Sequence, residues 1–291
     1  MTKCNLCRNI DSKIIYRVNT KTYSNKTQCY NLVKCKKCGL MYLNPMPTRK
    51  EINDMYSKDY FEFTEKGNFN EEGKKVINEE TIKRYQSALS RIERYVIKGR
   101  LLELGCGFGG FLNEAKQRGW VVLGLEPSQD MYLYCKMRAN LNVVNKTLEE
   151  ARFKNGYFDA IYADNVIEHL LEPSLALKKL NKLIKKRGIL YIRLPNENGL
   201  APIISRTLMK IKTAIGAKNN VQLLQHLYYY DAKTINRMLE KNGFKIVLLR
   251  KLNSGITYNS SFVVRIITKF IFFIATILNQ GNLFDIIAVK E

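Results

Sequence analysis

Between Arg100 and Leu249, short apolar runs alternate with amphipathic stretches, and this alternation constrains the fold more than any other feature of the chain. Short apolar runs bounded by turn residues read as buried strands, and apolar residues spaced three or four apart read as helices packed over them. The pattern predicts strands over Leu101–Leu104, Val121–Leu125, Asn142–Val144, Phe158–Ala163, Ile189–Leu194 and Phe244–Leu249. It predicts helices over Gly110–Arg118, Gln129–Arg138, Leu175–Lys186 and Asp231–Asn242, and another just after the fourth strand. Leu283–Lys290 reads as a closing strand, antiparallel to its neighbours. Such an order makes an α/β fold: a doubly wound, mainly parallel sheet covered on both faces.

The turn from the first strand to the first helix is Glu103-Leu-Gly105-Cys106-Gly107-Phe-Gly109-Gly110. Glycines there let the backbone approach a ligand while the helix N-terminus faces it. Gly105, Gly107 and Gly110 also satisfy the dinucleotide pattern, and Glu126 at the end of the second strand could take ribose hydroxyls in either cofactor class. Glu103 separates the two. A carboxylate two residues before the first glycine would repel a pyrophosphate and attract a cofactor with a free α-amino group.

The runs LLELGCGFGGFL, LGLEPS, FDAIYADNVIEHLLEP and RGILYIRLPN resemble, in order and spacing, the class I S-adenosylmethionine-dependent methyltransferases over roughly residues 100–249. The resemblance implies a Rossmann-like seven-stranded sheet and S-adenosyl-L-methionine as cofactor. It implies that Glu103, Gly105, Cys106, Gly107 and Gly109 hold the methionine end and Glu126 the ribose. Leu148 would lie by the adenine, and Asn165 would line the pocket beneath the sulfonium.

Four of the seven cysteines fall in two Cys-x-x-Cys pairs, Cys4/Cys7 and Cys35/Cys38. A two-residue spacer lets one turn present both thiolates to a tetrahedral ion, and Gly39 eases the backbone after the second pair. Thiolates select zinc or an iron–sulfur cluster, and a closed four-sulfur site is structural, so the reading is one structural Zn2+. Strands over Lys13–Val18 and Tyr30–Lys34 fill the interval. Cys29, Cys106 and Cys135 lack such pairing and read as packed thiols. The domain reading is a zinc-ribbon-like module over 1–47 and a helical linker and lid over 48–98. Within the lid, Arg49–Tyr60 is a short helix, Phe61–Lys75 a mobile loop and Glu79–Ile97 an amphipathic helix. The catalytic core is 99–291, with an acceptor-side insertion near 197–230 and an amphipathic helix near 262–278.

Zinc pairs ahead of such a core also resemble the zinc-containing C-methyltransferases of deoxysugar biosynthesis. Gln225-His226-Leu-Tyr-Tyr-Tyr230 looks like their motif of His, Leu and aromatic residues, although Leu223-Leu-Gln-His stands where their fuller pattern has Tyr-His-Glu-His. The C-terminal α/β domain of those enzymes has no counterpart here. The resemblance implies that His226 is the base or acceptor-orienting residue and that the acceptor is a small sugar or glycan precursor. Tyr229, in the aromatic run, is a secondary candidate, as is His169. With no third ligand at a sensible spacing, Glu168 reads as the partner of His169 rather than as a metal ligand.

A hydrophobic fraction of 46% excludes a largely disordered or fibrous chain. The net charge of +22 implies an anionic partner: a phosphorylated metabolite, nucleic acid or an acidic membrane surface. The start MTKCNLC has no apolar signal region, and seven cysteines do not close into pairs, so the expected compartment is the cytoplasm. The basic stretch Arg206–Asn219 and the apolar stretch Phe262–Leu278 read as helices packed on the core. The sharper alternative is a peripheral patch at the inner membrane surface. The rival functions are an RNA methyltransferase, with zinc module and charge as its RNA-binding equipment, and a zinc-ribbon scaffold with a degenerate pocket.

Overall fold

A computed structural model describes residues 2–21, 27–55, 76–214, 226–254 and 262–291. The N-terminal strands are β1 (Ser12–Lys21), β2 (Thr27–Cys35) and β3 (Met41–Asn44), followed by helices α1 (Arg49–Met55) and α2 (Glu79–Ile92). The alternating region runs β4 (Arg100–Leu104), α3 (Gly110–Gln117), β5 (Val121–Leu125), α4 (Gln129–Met137), β6 (Val143–Val144) and β7 (Phe158–Asp164). A 3₁₀ turn, Ile167–His169, precedes α5 (Pro173–Leu183), β8 (Ile184–Pro195) and α6 (Leu200–Ala214). The chain closes with β9 (Tyr228–Tyr229), α7 (Ala232–Lys241), β10 (Phe244–Leu252), α8 (Phe262–Ile277) and β11 (Leu283–Lys290).

Seven strands form one sheet in the order β10-β11-β8-β7-β4-β5-β6. Strands β4, β5, β6, β7 and β8 pair in parallel, and β11 runs antiparallel between β8 and β10. The order reverses between β4 and β7, and in such sheets the ligand crevice opens at the carboxyl ends of the strands on either side of that switch. Glu103, Glu126 and Asn165 stand at or just beyond the carboxyl ends of β4, β5 and β7.

The helix expected just after the fourth strand is only the 3₁₀ turn Ile167–His169, and two predicted helix ends retreat. The helix expected to reach Lys186 ends at Leu183, because Ile184 already pairs with Phe158 at the start of β8. Arg187, at φ 63°, then bulges the strand before Gly188. The helix expected to reach Ile97 ends at Ile92. Past that point Glu93 turns its carboxylate onto Arg118 and the indole N–H of Trp120, 3.2 Å from each. Residues 56–60 of the first predicted helix and the Phe61–Lys75 loop lie outside the described residues, as do 215–219 and Gln225.

The sheet separates two apolar clusters. On one face α2 and α3 bury Leu89, Ile92, Phe111, Leu112 and Trp120, with Phe111 stacked on Tyr162 at 3.7 Å between ring centroids. On the other face α5 and α7 pack Leu177, Leu180, Ile235 and Met238. The N-terminal strands join that second cluster through Leu32, Tyr42 and Leu43. Backbone pairing reinforces the junction. Strand β3 runs antiparallel to β9, with Met41 opposite Tyr229 and Tyr42 opposite Tyr228, so a segment from the far end of the chain completes the four-stranded sheet β1-β2-β3-β9. The first Cys-x-x-Cys turn is fastened as well. The Asn5 side chain accepts from the Ser174 N–H at the start of α5 (2.9 Å), and Lys241 Nζ donates to the Leu6 carbonyl (2.7 Å).

Candidate active site

The glycine loop takes its shape from backbone conformations that favour glycine. Gly105, Gly107 and Gly109 have φ of +66°, +52° and +74°. A Cβ on Gly105 would lie 2.9 Å from Val166 Cγ2, and one on Gly109 would collide with Leu141. A Cβ on Gly107 would meet nothing within 4 Å, so the loop is packed at both ends and open in the middle. Cys106 and Cys135 are buried beneath it, and the Cys135 thiol donates to the Gly107 carbonyl (3.2 Å).

Two carboxylates flank the opening. Glu103 is buried, and its Oε2 has no hydrogen-bond partner. Burial, reinforced by the neighbouring Asp164 carboxylate, holds the Glu103 carboxyl well above the usual range. Such a group becomes a stable anion only when a cation arrives beside it, and an α-ammonium is such a cation. Glu126 is also pushed up by burial, but it accepts from the Gly107 and Ser128 N–H groups at 2.8 Å each. It therefore holds the loop while keeping lone pairs for a further donor. These residues fit the amino-acid and ribose ends of S-adenosylmethionine. Leu148 is buried, and Asn165, just past β7, is exposed with φ 53°. Replacing Glu126 by Ala should weaken S-adenosylmethionine binding by roughly 1.5–3 kcal/mol, about 10- to 150-fold, measured by calorimetry. Unchanged affinity would remove Glu126 from the site.

Beneath the opening lies an ionic network that the sequence did not disclose. Asp164 pairs with Arg84 from α2 and with Arg193 from β8 (3.4 Å), and accepts from the Tyr162 hydroxyl (3.0 Å). Arg193 also pairs with Asp285 on β11 (3.0 Å), as does Arg91 (3.4 Å). Arg84, Arg91, Asp164, Arg193 and Asp285 come from four elements, and the network ties α2 to the carboxyl ends of β7 and β8.

Val166, against Gly105, leads directly into the 3₁₀ turn that carries Glu168 and His169. His226 comes from the segment before β9 and stands with its ring centroid 5.0 Å from that of His169 and 6.0 Å from Tyr229. The position is fixed by the backbone: the Leu227 N–H donates to the Glu168 carbonyl (2.9 Å), and the Leu43 N–H donates to the Leu227 carbonyl (3.1 Å). Burial lowers His226 to about 4, which leaves it neutral near pH 7. Burial raises Glu168 to about 8, and the hydroxyls of Tyr229 and Tyr230 well above their usual range. Glu168 does lie beside His169, 3.9 Å from its Nε2, and the third group that sequence spacing does not offer comes from folding, which brings a His226 ligand atom within 4.8 Å of one on each.

The two cysteine pairs meet. Cys4 and Cys38 sulfurs are 3.5 Å apart, as are those of Cys7 and Cys35, and all four lie within 4.8 Å of one another. Sulfurs on tetrahedral bonds of about 2.3 Å would be about 3.8 Å apart, so the donor set fits one zinc ion. A hydrogen bond from Cys38, aided by the Leu6 and Cys7 backbone N–H groups, lowers Cys4 to about 5, while the same contact raises Cys38. Gly39 takes φ +84° after the second pair.

Comparison with known proteins agrees with this architecture. The family described as "Methyltransferase domain" matches residues 77–249, more than half of the chain. The chain belongs to that family and is a class I S-adenosylmethionine-dependent methyltransferase. It is 25% identical over 161 residues to an uncharacterized protein of Methanocaldococcus jannaschii, covering 55% of this chain and 72% of that one. It is 30% identical over 107 residues to a ubiquinone biosynthesis O-methyltransferase of Escherichia fergusonii, covering 34% of this chain and 44% of that one. Among solved structures it resembles magnesium protoporphyrin IX methyltransferase of Synechocystis PCC 6803 with bound SAH (TM-score 0.54, 16% identity), covering 84% of this chain and all of that one. It also resembles a SAM-dependent methyltransferase of Archaeoglobus fulgidus (TM-score 0.50, 22% identity), covering 72% of this chain and 94% of that one.

Proposed function

We propose that the acceptor is a small, anionic, sugar-like molecule, a glycan precursor, bound between the 3₁₀ turn after β7 and the segment before β9. The observation that carries this reading is the meeting of His169, His226 and Tyr229 in that place, with the turn joined through Val166 to the glycine loop. Bound S-adenosylmethionine would supply an electrophilic methyl group. The chain must hold the acceptor in line, exclude water and receive or discharge one proton. His226 is neutral near pH 7 and has an aromatic neighbour on which a sugar face can rest, so it suits the orienting and proton-handling role. A Zn2+ held by Cys4, Cys7, Cys35 and Cys38 would be structural, because four thiolates leave no open position.

Helix α8 supports a peripheral membrane contact. Val263, Phe270, Phe273 and Ile277 are 62%, 62%, 63% and 67% exposed, with Arg265 and Lys269 among them and no acidic residue in the helix. Exposed aromatic and branched side chains beside cations suit the interface of an anionic bilayer. No helix among the described residues is long and apolar enough to cross a membrane.

The test is methyl-labelled S-adenosylmethionine offered with nucleotide-linked sugars, with polyprenyl-phosphate-linked sugars on anionic vesicles, and with tRNA. Label should enter a sugar class, faster on vesicles if α8 lies on the bilayer. Label entering RNA alone would refute the proposal.

A further inference from the structure

The three groups that converge after β7 fit a metal ion better than a purely organic site. Glu168 is 1% exposed, and neither carboxylate oxygen has a hydrogen-bond partner. The Tyr230 hydroxyl is likewise buried and unbonded. A carboxylate withdrawn from water without donors is strongly disfavoured unless a cation compensates it. Among the described residues its ion-pair partner is His169, with Nε2 3.9 Å from Oε1, too far for a hydrogen bond. His226 completes the set, and one ligand atom from each of the three lies within 4.8 Å of the others. The backbone bond from Leu227 to Glu168 keeps the two contributing segments side by side.

We propose that Glu168, His169 and His226 bind a divalent transition-metal ion distinct from the zinc of the four cysteines. Two imidazoles and one carboxylate form a facial set that leaves positions open on the other side of the ion. Those positions suit neighbouring oxygens of the acceptor. This role in catalysis rests on the sugar-like acceptor reading, whereas the ion site itself does not. The ion would lower the pKa of a bound hydroxyl, whose proton would pass to solvent, so that His226 acts as a ligand. The two sites differ in softness: thiolates retain zinc, whereas nitrogen and oxygen donors accept manganese.

Protein stripped by chelator to one zinc per chain, the share that four thiolates retain, should therefore take up one Mn2+ per chain, detected as loss of the free-ion electron paramagnetic resonance signal. Glu168→Gln and His226→Asn should each weaken that uptake at least tenfold while leaving S-adenosylmethionine affinity unchanged, which also reports that each variant is folded. If one variant does not fold, the other decides. No saturable Mn2+ uptake, or uptake unchanged in a folded variant, would overturn the site. Mn2+ uptake with no labelled sugar product would leave the site standing and overturn the acceptor reading. Labelled sugar formed at an equal rate before and after removal of the non-thiolate metal would overturn the catalytic role of the ion.

Discussion

His226→Ala should slow methyl transfer by at least 10²-fold while S-adenosylmethionine affinity stays within about twofold of the parent. The size follows from what one group that assists loss of the acceptor's proton contributes, whether it takes the proton itself or ligates the ion that activates the hydroxyl, about 10²–10⁴ in rate. The selectivity follows from position. His226 contacts His169 and Tyr229, whereas the residues proposed to hold the cofactor, Glu103 and Glu126, stand at the carboxyl ends of β4 and β5, with Glu126 held by the Gly107 and Ser128 backbone N–H groups. Single-turnover rates with a labelled acceptor, alongside calorimetry with S-adenosylmethionine, separate the two effects. A variant with parental turnover would exclude His226 from the reaction, and one that lost cofactor affinity as well would point to a packing role.

Cys35→Ser should release the zinc proposed for the four cysteines and abolish turnover, yet leave S-adenosylmethionine binding largely intact. Structural zinc in small modules contributes about 10–16 kcal/mol of apparent binding energy at neutral pH, so the β1–β3 sheet should not survive its loss. The consequence for turnover comes from β9. Strand β3 pairs with Tyr228–Tyr229, and the Leu43 N–H holds the Leu227 carbonyl, so disordering β3 frees the residues that place His226. The glycine loop leads into α3, whose Phe111 and Leu112 pack in the cluster on the opposite sheet face, with α2 over them. Metal analysis, turnover and cofactor calorimetry on the same variant decide the matter. Cofactor affinity lost in step with zinc, or turnover that survives without zinc, would contradict this account.

What was legible in the sequence was local. The strand–helix alternation, the acid–glycine–acid spacing of Glu103, Gly105 and Glu126, and the paired cysteines depend on residues near one another in the chain, where periodicity and turn chemistry speak directly. The capped helix α7 belongs with these: Asp231 accepts from the Thr234 N–H at its start, and Asn242 ends it as expected. Boundaries slipped where long-range pairing overrode local preference, as at Ile184, which joins β8 because Phe158 waits beside it. Three things came only from the tertiary structure. The pairing of β3 with β9 joins segments from opposite ends of the chain, which no local pattern encodes. The Arg84, Arg91, Asp164, Arg193 and Asp285 network assembles charges from α2, β7, β8 and β11 that are ordinary surface residues when read singly. The convergence of Glu168, His169 and His226 depends on the first of these: β9 anchors one side, the turn after β7 supplies the other, and only folding sets the distance between them.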